Sequence, residues 1–401
     1  MMRAIFAPGA QNPMALPKEN CPSLGVLPKV ERIDWEAFQS YFMREGFITD
    51  TTESPTRDAL RAMEHYAPYF EQWSEWRIRP RCQFDIDRAA AIDVTLPHLK
   101  MFEDTAALFA LQSRAHLDLG DSPAAYADFR EGFQAYRALA QEPAVLSGLV
   151  KISVLSHLTT AVGEGLYDRR WRDAELQQIE ADLSTVRIWE DMTLAYSSER
   201  AFSNCFHEAI ISSSIQRRRT LLNQAFEPAK FSAEHFVFLI PRRVYRADQL
   251  QVDRYFEEML ARVSADGGQF DPDGPMPSGA EPLSGEDAPY FLLLRLIQYY
   301  YKNFDAKFVL TRTRIDQARI AIALERFRIA RSAFPESLAE LVPDFVPALP
   351  LDTYTRRPFI YRRNESGGFF MYSVGQNRSD DDGATDTKLF DERQADWVWP
   401  F

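Results

Sequence analysis

The segment with the clearest capacity for chemistry is an acidic run near the C-terminus. Residues 377–386 read Asn-Arg-Ser-Asp-Asp-Asp-Gly-Ala-Thr-Asp, and Gly383 permits a sharp turn among them. Ca²⁺ binds about six to eight oxygen ligands, and a loop of this composition concentrates carboxylate and amide oxygens. Two interpretations stay open for this segment: a calcium-binding loop, and an acidic surface loop that water alone solvates.

Residues that commonly carry catalysis are scattered along the chain. The six histidines form neither a His-Glu-x-x-His nor a Glu-x-x-His pair, and the chain has no nucleophile elbow, P-loop or dinucleotide fingerprint. The sequence therefore predicts no catalytic residues and no organic cofactor. An enzyme whose site is assembled between helices only by the fold is kept as an alternative.

A basic cluster, Gln216-Arg-Arg-Arg219, follows the serines at 212–214. Cations are favoured at the C-terminal end of a helix, where they oppose the helix dipole, so the cluster predicts a helix end. The alternative interpretation is that these arginines contact a phosphate or a lipid headgroup.

The composition sets broad limits on the protein class. The chain has 401 residues, 46% apolar and 26% charged, with a net charge of −12 at pH 7. This balance is typical of a globular protein, and the acidic pI near 5.2 disfavours nucleic-acid binding, which needs surplus Lys and Arg. We expect no membrane span, because no apolar run approaches about 18 residues. Three cysteines are too few for a disulfide framework.

Helical periodicity through most of the chain predicts a mainly α fold, an irregular helical bundle. We expect an extended Pro-rich arm over 1–33, a helical domain over 34–264, a Gly/Pro-rich loop or linker over 265–286, and a final unit over 287–401. That final unit begins with a long spine helix whose two apolar stripes require packing on two sides. Further long helices are predicted over about 55–78, 187–222 and 231–264.

One helix pair has a more specific pattern. In the segment 108–130, Ala115 and Ala125 would allow two helices to approach closely around a turn at Gly120. This segment resembles a tetratricopeptide repeat, with a second, degenerate repeat over 149–184. Because a solenoid needs about three repeats, an irregular bundle containing one such hairpin and a repeat array both remain open.

The periodicity changes after the spine helix. Prolines punctuate residues 343–358, and residues 359–363, 368–373 and 396–399 have the composition of short strands. The first two strands are predicted to form a hairpin over 364–368. The C-terminus should therefore be a small α+β module.

The order of motifs in this module is similar to that of type II secretion major pseudopilins. The shared motifs are Phe334-Pro335, Pro350-Leu-Asp352, Arg357-Pro-Phe-Ile-Tyr361, Met371-Tyr-Ser-Val-Gly375 and Ala395-Asp-Trp397. The resemblance covers about a fifth of the chain. The family's prepilin-peptidase site and membrane helix have no counterpart in this sequence. The resemblance implies a borrowed fold whose acidic loop holds calcium. The ligands that it implies, in order of preference, are Asp382, Asp386, Asp396, Asp380 and Asn377.

The whole arrangement also resembles helical proteins of planctomycete and verrucomicrobial type, through Arg79-Pro-Arg-Cys-Gln-Phe84 and Ser198-Glu-Arg-Ala-Phe202. That resemblance implies architecture, and an N-terminal membrane anchor is common in the group. The resulting hypothesis is a non-enzymatic interaction or scaffold protein with a protein or peptide partner and a calcium-stabilised C-terminal module. An extracytoplasmic or envelope location is favoured over the cytoplasm, and a component of a secretion or pilus-like assembly is a further alternative.

Overall fold

The computed structural model describes residues 14–25, 32–76, 96–226, 240–264, 267–274, 292–301, 303–364, 367–384 and 396–401. The described chain is mainly helical with one three-stranded antiparallel sheet near the C-terminus, which confirms the predicted mainly α class with a small α+β module. Asp386, the segment Arg79–Phe84, and parts of the predicted arm and linker lie outside the described residues.

Three helices form the N-terminal part: α1 (Trp35–Arg44), α2 (Pro55–Met63) and α3 (Ala67–Trp76). The carboxylate of Asp34 caps α1 by accepting the N–H of Ala37, and the hydroxyl of Ser54 caps α2 in the same way. The single helix predicted over 55–78 was wrong, because the 3₁₀ turn Glu64–Tyr66 divides it. Buried aromatic side chains of α1 pack on α2 in a small core of their own.

Five helices make the body of the protein. They are α4 (Pro97–Asp118), α5 (Ser122–Ala138), α6 (Val145–Tyr167), α7 (Asp173–Ser184) and α8 (Ile188–Ser212). At the turn between α4 and α5, Asp121 accepts the N–H of Ala124 and fixes the start of α5. Helix α4 packs along both α5 and α6, so the body is built from hairpins of neighbouring helices.

Two more helices follow at one end of α8: α9 (Ile215–Phe226) and α10 (Arg242–Leu260). The continuous helix predicted over 187–222 was wrong, because Ser213 is extended and interrupts it. Arg217–Arg219 therefore lie in the first turn of α9, and the prediction that they mark a helix end was wrong as well. The helix predicted over 231–264 begins only at Arg242 within the described part.

The predicted spine helix is divided into α11 (Leu292–Tyr301) and α12 (Phe304–Arg331), with Asn303 between them in a turn. Helix α12 is buried on more than one side. It packs against α6, α7 and α8 on the body side. On the other side, Arg314 donates to the carbonyl of Val398, and Gln317 Nε2 donates to the carbonyl of Trp397 at 2.6 Å.

The C-terminal module, residues 334–401, contains a 3₁₀ helix (Leu338–Leu341) and strands β1 (Ile360–Arg363), β2 (Phe369–Ser373) and β3 (Trp397–Val398). The strand order is β1-β2-β3, with Ile360 opposite Tyr372 and Tyr372 opposite Val398. One buried apolar cluster runs from the body helices through α12 to Trp397 and Trp399. The module is therefore joined to the body by a continuous core.

Helix α6 (Val145–Tyr167) is long and apolar enough to cross a membrane by length and composition, with a mean hydropathy of 1.5 over its most apolar window. The core helix of a globular protein has the same properties. In this structure α6 packs against α4, α5, α8 and α12, and Val154, Leu158 and Val162 are fully buried.

Candidate functional site in the C-terminal acidic loop

The acidic loop, residues 375–384, connects with the end of β2 and turns back sharply toward β3. Arg378, Asp382 and Gly383 all have positive φ values, +58°, +58° and +77°. A Cβ on Gly383 would overlap the ring of Phe370, so only glycine fits at this turn. The loop is thus held tightly against the sheet.

Asp396 lies directly before β3 and beneath the acidic loop, with 3% of the residue exposed. Its Oδ2 accepts the N–H of Gly383 at 2.6 Å and the N–H of Asp381 at 3.1 Å. Its Oδ1 is buried and has no hydrogen-bond partner in the described part of the chain. Burial raises the pKa of Asp396, the two backbone N–H groups oppose this rise, and the nearby Asp381 and Asp380 add to it.

Asp380 is fixed by the sheet and by its own loop. Its Oδ1 accepts a hydrogen bond from the hydroxyl of Tyr372 at 2.9 Å and another from the N–H of Asp382 at 3.0 Å. Burial and the Asp380 carboxylate raise the pKa of Tyr372, and the Arg362 guanidinium opposes them. The Tyr372 hydroxyl therefore stays protonated and holds Asp380 in place.

Asp382 and Asn377, two of the sequence-predicted ligands, are directed elsewhere. The Asp382 side chain is 89% exposed, and its Oδ1 lies 3.5 Å from Arg362 Nη2. Asn377 accepts the N–H of Ser379 at 3.1 Å and donates from Nδ2 to Asp381 Oδ2 at 2.8 Å. Asp381 was not singled out by the sequence analysis, although it is the central residue of the Asp-Asp-Asp run.

Arg378 is a cation in the middle of this acidic segment. Its guanidinium forms an ion pair with Asp273 of the 267–274 segment and lies 5.9 Å from the centre of the Tyr354 ring. The Arg378 charge is therefore balanced outside the acidic loop. Phe270, in the same 267–274 segment, is buried, and its ring stacks on that of Trp189 of the body with 5.2 Å between the ring centres.

The donor set around Asp396 is made only of oxygen atoms, which suits a hard cation such as Ca²⁺ and not Zn²⁺. No group of three or more His, Cys, Asp or Glu among the described residues is arranged to hold a metal. The structure thus brings Asp380 and Asp396 to one loop and leaves Asp382 facing solvent.

Two buried ion pairs connect helices of the body. Lys151 Nζ, 1% exposed, lies 2.8 Å from Asp191 Oδ1, and the Tyr136 hydroxyl donates to Asp191 Oδ2 at 2.8 Å. Arg114 donates from two nitrogens to both carboxylate oxygens of Glu164. These pairs have the geometry of structural links between helices.

His98 and His157, two histidines of the body, do not converge on a metal site within the described chain. Burial lowers the pKa of His98 to about 4, although Glu142 lies 3.8 Å from its Nε2. Burial also lowers the pKa of His157 to about 4. Both imidazoles are therefore neutral at pH 7 and contribute to the packing of the helices.

A second polar cluster lies between α8, α10 and α12. The hydroxyl of Tyr196 is buried without a hydrogen-bond partner among the described residues, beside Asp305, Tyr255 and Arg262. Arg262 Nη1 pairs with Asp305 Oδ2 at 3.2 Å and donates to the carbonyl of Pro272 from Nη2. This arrangement ties the end of α10 to the start of α12.

Comparison with known protein families, with curated proteins and with solved structures gives no match to this chain.

Proposed function

We propose that this chain is a non-enzymatic interaction or scaffold protein whose C-terminal module is stabilised by calcium. The observation that carries the proposal is the carboxylate of Asp396, which is buried with one oxygen unpartnered beneath a loop of aspartates. Burial of an uncompensated carboxylate is unfavourable, and a bound cation would remove that penalty.

Asp396 and Asp380 are the described side chains placed to hold the ion, and Asp382 would have to turn away from Arg362 to join them. Asp396 connects the loop to β3, and Asp380 connects it to β2 through the Tyr372 hydroxyl. Calcium bound between them would link the two strands through the loop. Asp386, which the sequence analysis also named, belongs to the same acidic segment.

Contacts within the helical body, and between α12 and the C-terminal module, support the interaction role. The ion pairs Lys151–Asp191 and Arg114–Glu164 each connect two helices of the body. Helix α12 joins the body to the module through hydrogen bonds to backbone carbonyls. Such an arrangement supplies a rigid surface for a protein or peptide partner. Calcium-stabilised modules with affinities of about 10⁻⁴–10⁻³ M are filled outside the cytoplasm, which agrees with an extracytoplasmic location.

The experiment is a thermal melt of the full chain in calcium, in magnesium and in EDTA. With calcium at about 100 times its dissociation constant, the midpoint of the thermal transition should rise by about 3 °C over that in EDTA. Asp396→Asn should abolish the rise, and Asp382→Ala and Asp386→Ala should reduce it. Asp344→Asn, an exposed aspartate of the same module outside the acidic loop, is the matched control and should keep it. A transition that chelation leaves unmoved would remove the calcium proposal.

A further inference from the structure

A concentration of positive charge lies at the end of the molecule where α8, α9 and α10 meet. Residues 209–226 and 240–247 contain six arginines and no aspartate or glutamate, in a chain whose net charge is −12. The connecting residues 227–239 add Lys230, Glu227 and Glu234 by sequence. We call the exposed members of this set the arginine corner: Arg217, Arg219, Arg242, Arg243 and Arg246.

Buried Arg218 holds the three helix ends together beneath the corner. With 5% of the residue exposed, it donates from Nε to the carbonyl of Ile210 at 3.2 Å and from Nη1 to the carbonyl of Ile240 at 3.1 Å. Its guanidinium lies 5.3 Å from the centre of the Tyr245 ring. Arg242 Nη2 reaches the carbonyl of Ser213 at 3.5 Å, so the two arginine runs adjoin in space.

Three of the five arginines in this corner form no ion pair within the described part of the chain. Arg246 pairs with Glu208. Arg217, Arg242 and Arg243 are exposed and form no ion pair with any residue that the structure describes. The positive ends of the helix dipoles of α9 and α10 lie in the same place and add to the positive potential.

The serine hydroxyls beside the arginine corner form hydrogen bonds with the backbone. The hydroxyls of Ser212 and Ser213 donate to the carbonyls of Glu208 and Ala209, and the hydroxyl of Ser214 accepts the N–H of Arg217 at 3.3 Å. An anion at this surface would therefore be bound by the guanidinium groups. Ile215, 55% exposed, places an apolar side chain among them.

We infer that the arginine corner docks on a membrane surface containing anionic phospholipid. Clusters of basic residues are attracted to the negative surface of such a membrane, and each one strengthens partitioning by about fivefold. An exposed isoleucine among arginines fits a headgroup layer, because the apolar side chain inserts between lipids while the guanidinium groups contact the phosphates. This inference is independent of the proposed calcium site.

The experiment is sedimentation of the full chain with vesicles of phosphatidylcholine, alone or with about 30% phosphatidylserine, in EDTA so that calcium forms no bridge to the lipid. Wild-type protein should sediment with the anionic vesicles and not with the neutral ones, and added salt should release it. Arg217→Gln/Arg243→Gln should bind about 30-fold more weakly. Ile215→Ser should lose about fivefold.

The matched control is Arg57→Gln/Arg170→Gln, which removes the same charge from two exposed arginines outside the corner. This control should bind as wild type does. The proposal would be overturned if the control and the corner variant lost vesicle binding equally. It would also be overturned if the wild-type protein bound neutral and anionic vesicles equally. Release of the protein by millimolar inorganic phosphate at constant ionic strength would overturn the proposal as well, because the arginines would then be a site for a soluble phosphate.

Discussion

Two buried ion pairs of the helical body and two buried aspartates of the C-terminal module differ in how their charge is balanced. In the body, Lys151 meets Asp191 at 2.8 Å, and Arg114 meets Glu164. In the module, Asp396 and Asp352 are each about as deeply buried, yet neither forms an ion pair with a cation of the described chain. These two pairs of the body therefore balance their own charge, whereas Asp396 and Asp352 of the module retain negative charge that an added cation would balance.

The largest effect should come from breaking a pair in the body. Lys151→Met leaves the Asp191 carboxylate buried without its cation, and we expect a loss of about 3–5 kcal/mol in the free energy of unfolding. Denaturant titration measures this loss. Replacing both partners, as in Lys151→Met/Asp191→Leu, should recover most of it. A single variant that loses less than about 1 kcal/mol would show that the pair is unimportant.

The turn in the module should be the next most sensitive position. Gly383→Ala introduces a Cβ at positive φ and against the Phe370 ring, so we expect a loss of about 3 kcal/mol. Gly367→Ala is the matched control, because Gly367 has a φ of +76° and open space around its Cα. The Gly367→Ala variant should lose about 1 kcal/mol in the free energy of unfolding. Equal losses in denaturant titration would mean that Phe370 does not constrain the acidic loop.

The two regions should also respond to pH with opposite signs. His98 has a folded pKa of about 4, so its contribution to stability is present above pH 6.5 and is lost as pH falls toward 4. Allowing for solvent screening, the change is about 1 kcal/mol. Asp396 has a raised pKa in the folded state, so its contribution to the stability of the fold is present at low pH and declines as pH rises.

Thermal melts between pH 4 and 7.5 measure both dependences. His98→Asn should flatten the decline on the acid side. Asp396→Asn, in EDTA, should be at least as stable as wild type near pH 7 and should lack the decline toward higher pH. The same pH profile in wild type and both variants would contradict the assignment of these groups.

The smallest effect is expected at Tyr196, one of two buried tyrosines of the body that differ in their hydrogen bonds. The Tyr136 hydroxyl donates to Asp191 and accepts the N–H of Arg187 at 3.1 Å, whereas the Tyr196 hydroxyl has no such partner among the described residues. Tyr136→Phe should lose about 1–3 kcal/mol, and Tyr196→Phe should be neutral or stabilising by about 0.5 kcal/mol. Comparable losses in denaturant titration would show that Tyr196 has a polar role, which would favour a site between the helices.

Sequence periodicity was sufficient to predict helices and strands but not the interruptions between them. Apolar spacing identified the α4–α5 hairpin and the three strands, because packing against one core imposes a regular period. The break at Ser213 was missed because Ser212–Ser214 fit a helix as easily as a turn. The division of the spine helix at Asn303 was missed as well.

The candidate site was only partly visible in the sequence. The acidic composition of residues 377–386 and Asp396 was evident, since carboxylates crowded around a glycine are a local property. The unpartnered oxygen of Asp396 depends on how β3 lies beneath the loop, and the outward direction of Asp382 depends on Arg362 of β1. Neither property is local in the sequence. The arginine corner likewise combines two runs that lie more than 20 residues apart.

Direct titration of calcium into the metal-free full chain, followed by isothermal calorimetry, tests the central claim most directly. We expect a single calcium ion to bind with a dissociation constant on the order of 10⁻⁴–10⁻³ M. Asp396→Asn should remove this binding, and Asp344→Asn should leave it unchanged. The absence of calcium binding to wild type, or equal binding to Asp396→Asn, would contradict the claim that this buried carboxylate requires a cation.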